Sequence, residues 1–120
     1  MSAFADTVGY SRALRVRDRV FVAGTGPVMP DGGEPPADAY GQARRSLEIV
    51  VDALARLGAG PAHVVRTRTY ITRADDWPEV GRAHGEVFGD VRPATTGVVV
   101  AALLDPRWLV EIEAEAIIER

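Results

Sequence analysis

"LVEIEAEAII", residues 109–118, decides how this chain folds. Val110, Ile112, Ala114, Ala116 and Ile118 occupy one set of alternate positions, while Glu111, Glu113 and Glu115 share the other with Leu109 and Ile117. Side chains of an extended segment alternate sides with a period of two, so the pattern predicts a β-strand with one apolar and one acidic face. A sheet built around such a strand has one face packed on a core and one face that is not.

The segments upstream supply the rest of that sheet and its cover. "TTGVVVAALL" (95–104) is a nearly continuous apolar run, expected to be a strand buried on both faces, and "DPR" (105–107) turns it into the last strand. Asp76 and Glu79 have capping-box spacing around Trp77 and Pro78, with Val80, Ala83, Val87 and Phe88 behind them, which predicts a short helix ending near Gly89. "VVRTRTYIT" (64–72) is β-branched enough for a strand, with Val65, Thr67, Thr69 and Ile71 on one face and Val64, Arg66, Arg68 and Tyr70 on the other.

Further back, Ala43, Leu47, Val50, Val51, Leu54 and Leu57 recur at intervals of one to four within residues 39–57, predicting an amphipathic helix capped by Asp38 and stopped by Gly58. "GTGPVMPDGGEPPADA" (24–39) reads as a long loop, and "ALRVRDRVFVAG" (13–24) alternates on both sides of Asp18 as a hairpin does. The predicted order is β-β-α-β-α-β-β. Two helices cover only one face of a sheet of five or six strands, and the other face mixes valines, threonines and Tyr70 with glutamates and arginines. No element remains to cover it, so copies of the chain are expected to cover one another in a homo-oligomer.

Composition narrows the function. A chain of 120 residues, 47% of them hydrophobic, is expected to form one domain over 1–120 around one core. A net charge of -3 offers no general attraction to phosphate backbones, so no nucleic-acid partner is expected. The absence of cysteine removes thiol nucleophiles, cysteine-built metal sites and disulfides. All 14 basic residues are arginine, which removes Schiff-base and P-loop lysines. His63 and His84 lack metal-ligand spacing, so they are expected at the surface or against a partner and no metal is expected. No segment approaches the roughly 18 to 20 apolar residues that span a bilayer, and the expected location is the cytoplasm.

Taken in order, "GYSRAL" (9–14), "VFVAGTGP" (20–27), the long helix, "VVRTRTYIT", "VFGDVRPATT" (87–96) and "LVEIEAEAI" (109–117) resemble the Rid/YjgF family of reactive imine and enamine deaminases, also labelled endoribonuclease L-PSP. The resemblance runs from about Gly9 to Ile118. It implies a chorismate-mutase-like α/β fold, a homotrimer with a central barrel, and small-molecule clefts between subunits. The implied activity is hydrolysis of 2-imino or enamine acids to 2-keto acids and ammonia, with no cofactor.

Residue by residue, the resemblance makes Glu111 the catalytic group that positions or activates water. It makes Tyr10 a pocket wall, and Gly24 and Gly97 backbone contacts to the ligand. Thr95 and Thr96 fall in the binding motif, and Thr95 stands where the deaminase pattern has a carboxylate-gripping arginine. Gly81 stands where an asparagine is usual. A hydroxyl cannot do what a guanidinium fork does, so the expectation is altered recognition of a less acidic substrate. The alternative is a trimer that binds a small ligand or a partner without chemistry. Glu113 and Glu115 are expected to pair with Arg66 and Arg68 across the sheet, Phe88 and Trp108 to lie in the subunit interface, and Arg92 to be exposed. The ribonuclease label is the weakest reading, because the acidic balance and the lack of lysine oppose it.

Overall fold

A computed structural model of the protein describes residues 3–119, with side chains from residue 5 onward. Residues 1, 2 and 120 of the expected domain lie outside the described residues. Five strands, β1 (Ala13–Val16), β2 (Arg19–Thr25), β3 (Val64–Ile71), β4 (Ala94–Val99) and β5 (Val110–Ile117), form one mixed sheet in the order β1-β2-β5-β3-β4. All neighbours are antiparallel except β3 and β4. A short helix α1 (Ala3–Val8) leads in, α2 (Ala39–Arg56) follows β2, and α3 (Trp77–Phe88) links β3 to β4. The predicted order therefore holds, with α1 added in front. Six residues are too few for a helical period to announce itself in the sequence.

The hairpin turns at Arg17 and Asp18, where Arg17 adopts a φ of 56°. Helix α2 forms where its apolar spacing put it. Asp38 Oδ1 accepts from the Gly41 N–H at 2.9 Å, and Gly58, at φ 86°, turns the chain out of the helix. Leu47, Val50 and Leu54 of α2 pack with Val20, Val22, Val64, Ile71, Val110 and Ile112 of the sheet and with Val80 and Phe88 of α3. Burying each such side chain contributes about 1.5–3 kcal/mol, and this layer holds the sheet to the helices.

Five expectations need correction. Asp76 does not cap α3: a 3-10 turn over Ala74–Asp76 places it at φ -80°, ψ -10°, and its carboxylate accepts from Arg73 at 3.2 and 3.3 Å instead. A capping side chain needs an extended backbone at that position, which the turn removes. Second, Val64 rather than Val65 faces the core. A bulge between Val64 and Arg66 against β5 inserts one residue, so the alternation changes phase there.

Third, β4 ends at Val99, and all six of its residues are exposed, where burial on both faces was expected. It is the edge strand, and among the described strands it is bonded only to β3. Fourth, Phe88 is a core residue, 1% exposed, with its ring 4.8 Å from that of His84. Fifth, the two histidines are likewise structural: His63 Nδ1 accepts from the Gly60 N–H, and His84 is tied to Thr67.

Candidate functional site

On the face of the sheet away from the helices, residues of neighbouring strands line up in rows. Tyr70 and Val98 lie in the row of Glu111, Arg68 and Thr96 in the row of Glu113, and Phe21 and Arg66 beside Glu115. The carboxylates expected to pair with arginines do so at Arg68, whose Nη1 stands 3.3 Å from Glu113 Oε1 and 3.4 Å from Glu115 Oε1. The Tyr70 hydroxyl donates to Glu113 Oε1 at 2.8 Å, and that bond holds the phenol proton more tightly than usual. Arg66 lines the same open face without a carboxylate bound to it among the described residues.

Glu111 is different. The β2–β5 register slips between Val22 and Thr25, and in that irregular stretch Gly24 comes beneath the Glu111 side chain. A Cβ on Gly24 would lie 2.6 Å from Glu111 Oε2, so the carboxylate rests where only glycine leaves room. Arg12 Nη2 donates to the Gly24 carbonyl at 2.6 Å, which brings a guanidinium to the same corner. Burial raises the affinity of Glu111 for its proton, the charge of Arg12 opposes that, and Glu113 adds to it. A half-buried carboxyl with raised proton affinity, beside a fixed cation, is suited to take up and return a proton.

The other expected site residues are distributed around this corner. Tyr10 lines a groove of about 500 Å³ on the open face, between Leu14 and Phe21 on one wall and Arg66, Arg68 and Glu113 on the other. It arrives there because Gly9, at φ 87°, breaks the chain out of α1, with the N–H groups of Gly9 and Tyr10 both donating to Ala5 O. Thr95 and Thr96, adjacent in a strand, point to opposite sides. Thr96 lies on the open face in the row of Arg68, whereas Thr95 turns to the helix side beside Thr67.

There the hydroxyls form an oriented chain. Thr95 Oγ1 donates to Pro93 O at 3.1 Å, so it must accept from Thr67 at 2.9 Å, and Thr67 in turn accepts from His84 Nε2 at 2.8 Å. This chain puts a proton on His84 Nε2, and burial lowers the pKa of that ring. Gly97 also faces the helix side, where the Trp77 ring covers it: a Cβ there would lie 2.5 Å from the indole. Arg92 is exposed at φ 57° in the turn before β4. Within one chain, then, Glu111 and Gly24 meet, while Tyr10, Thr96 and the Thr95–Gly97 side occupy separate stations.

Sequence reasoning missed Arg12 and Trp77. The only signal for Arg12 was its spacing two residues before Leu14, which puts both on one face; its contact depends on the register slip in β2. Among the described residues no group of three or more metal-ligating side chains converges, and no helix is long and apolar enough to cross a membrane.

The sequence pattern of the endoribonuclease L-PSP family matches residues 1–118. The chain belongs to that family. Rv2704 of Mycobacterium tuberculosis, described as a member of the YjgF/YER057c/UK114 family, superposes with a TM-score of 0.88 at 45% identity, over 97% of this chain and 92% of that one. TdcF of Escherichia coli with bound serine gives a TM-score of 0.84 at 31% identity, over 90% and 87% of the two chains. That TdcF, named as a candidate reactive intermediate deaminase, is a curated relative at 30% identity over 110 residues, 90% of this chain and 85% of its own. A protein of Streptomyces coelicolor is 40% identical over 115 residues, 96% of this chain and 86% of its own. The mixed five-stranded sheet with two helices on one face is thus an L-PSP/YjgF fold, as the sequence resemblance implied.

Proposed function

We propose that this L-PSP family member is a cofactor-independent hydrolase of the imine and enamine deaminase type, working in the cytoplasm at a cleft completed by a second subunit of a homotrimer. The observation that carries the reading is the Glu111 carboxylate seated on the backbone of Gly24, with its proton affinity raised by burial. In the reaction Glu111 takes a proton from water as the oxygen adds to the imine carbon. It returns that proton to the nitrogen of the tetrahedral adduct, the C–N bond breaks as the adduct hydroxyl gives its own proton through Glu111 to the departing nitrogen, and a carbonyl compound and ammonia leave. Gly24 and Gly97 orient the polar group through their backbones, Tyr10 lines the pocket, and Thr95 and Thr96 contribute hydroxyls in place of the missing arginine.

Ammonia release from freshly generated 2-iminobutyrate tests the reaction. Glu111→Gln is expected to lower the enzymatic rate by about 10²–10⁴-fold, the usual worth of a positioned acid-base group. Equal rates for variant, wild type and buffer would reject the reading for this substrate class.

One observation favours a second reading, a trimer that binds a small ligand or partner without chemistry. The only hydroxyl proton of Thr95 is already spent on Pro93 O, so Thr95 has no donor ready for a substrate carboxylate. A compound that raises the melting temperature and is recovered unchanged would support this second reading.

A further inference from the structure

Arg12 is the charged residue nearest the Gly24–Glu111 corner that the reaction above leaves without a task. Its carbonyl accepts from the Ala23 N–H at 3.0 Å, which extends the β1–β2 ladder by one rung and fixes where the side chain starts. Nη2 then donates to Gly24 O at 2.6 Å, and Nε is sealed from solvent with no hydrogen-bond partner. A guanidinium carries five N–H donors, and a shielded donor without an acceptor is costly. Arg12 is close enough to lower the proton affinity of Glu111, yet among the described residues it forms no ion pair.

The surrounding charges determine what would complete it. Arg68 is engaged with Glu113 and Glu115, and the Tyr70 hydroxyl also donates to Glu113, so that carboxylate is already countered. What remains at the corner is the positive charge of Arg12 beside the carboxyl of Glu111. A molecule with a cationic carbon–nitrogen double bond one bond away from a carboxylate presents the complementary pair, negative toward Arg12 and positive toward Glu111. Nε is out of a ligand's reach, but a planar two-oxygen anion also matches the pair of terminal guanidinium nitrogens better than a single hydroxyl does.

We propose that Arg12 is the anion anchor of this site, holding the carboxylate of an acidic substrate from its seat on Gly24 while Glu111 faces the reacting carbon. The substrate would therefore keep its acid group although position 95 carries no arginine. This rests on the Gly24–Glu111 corner being the reaction site named above.

Calorimetric titration of the intact protein with 2-oxobutanoate and with its neutral amide, 2-oxobutanamide, tests the anchor without requiring turnover. Wild type is expected to bind the acid about tenfold or more tightly than the amide, a difference of about 1.4 kcal/mol. Arg12→Gln, whose side-chain amide can still donate to Gly24 O, is expected to abolish that preference, and Arg12→Lys to restore part of it. A purely structural role would weaken both ligands alike. Equal binding of acid and amide to wild type, no acid binding below about 10 mM, or a preference that survives in Arg12→Gln would each overturn the proposal. Should Arg12→Gln not fold, the wild-type comparison and Arg12→Lys decide. Preference for the acid without ammonia release would leave the anchor standing and remove the reaction, whereas ammonia release with unchanged KM in Arg12→Gln would do the reverse.

Discussion

Glu111 is held in an environment that works against its own charge. Burial places its folded-state pKa above the unfolded value, so the native protein binds that proton more tightly than the unfolded chain does. The associated stabilisation is fully present below the ordinary carboxylate range and is lost as pH rises through the raised value. Glu111→Gln imitates the protonated form. The variant is expected to melt with wild type at about pH 4 and above it at pH 7.5, a gain in stability bought with activity. Melting curves at the two pH values check this, and a variant no more stable than wild type at pH 7.5 would contradict it. Glu111 and Gly24 could be picked out from the sequence because each sits in a recognisable ordered segment. Arg12 could not, because the slip in β2 that brings Gly24 under Glu111 leaves no trace in an alternating pattern.

At the scale of elements, two aspartates with similar sequence credentials behave differently. Asp38 accepts from the Gly41 N–H and caps α2, whereas Asp76 is drawn into a 3-10 turn and pairs with Arg73. Asp38→Ala is therefore expected to cost about 1 kcal/mol in urea denaturation, and Asp76→Ala less than half of that, the usual worth of an exposed ion pair. Equal losses would mean that Asp76 caps α3 after all. Helices α2 and α3, the hairpin, β3 and β5 were readable because their apolar spacing matches a helix or a strand period over a full element, and β4 because a short apolar run between turn signals reads as a strand. The phase of β3 was not, since the bulge before Arg66 changes which valine faces inward. The burial of β4 was misjudged for a different reason: a run of valines reports an affinity for apolar surroundings and says nothing about which polypeptide provides them.

For the whole molecule, the half-covered sheet was the most legible feature, because counting helices against strands suffices to see that one face lacks cover. That face exposes Leu14 at 55% and Phe21 at 39%, paired across β1 and β2, while Val98 stands out on it at the far edge at 40%. Phe21→Asp puts a charge into the middle of the apolar part. Light scattering is expected to find wild type at about three times the 12.9 kDa chain mass and the variant at the mass of a single chain, with ammonia release lost. A monodisperse wild-type monomer at micromolar concentration would end the trimer reading.

The separation of Thr96 and Glu111 on one sheet has a genetic corollary. If the bare strand β4 of one copy closes the crevice that holds the carboxylate of another, each crevice is a joint product of two polypeptides. Co-expressing a Glu111→Gln chain with a chain disabled only on β4 would then regenerate some wholly normal crevices in mixed assemblies. Two dead alleles together would restore function that neither possesses alone.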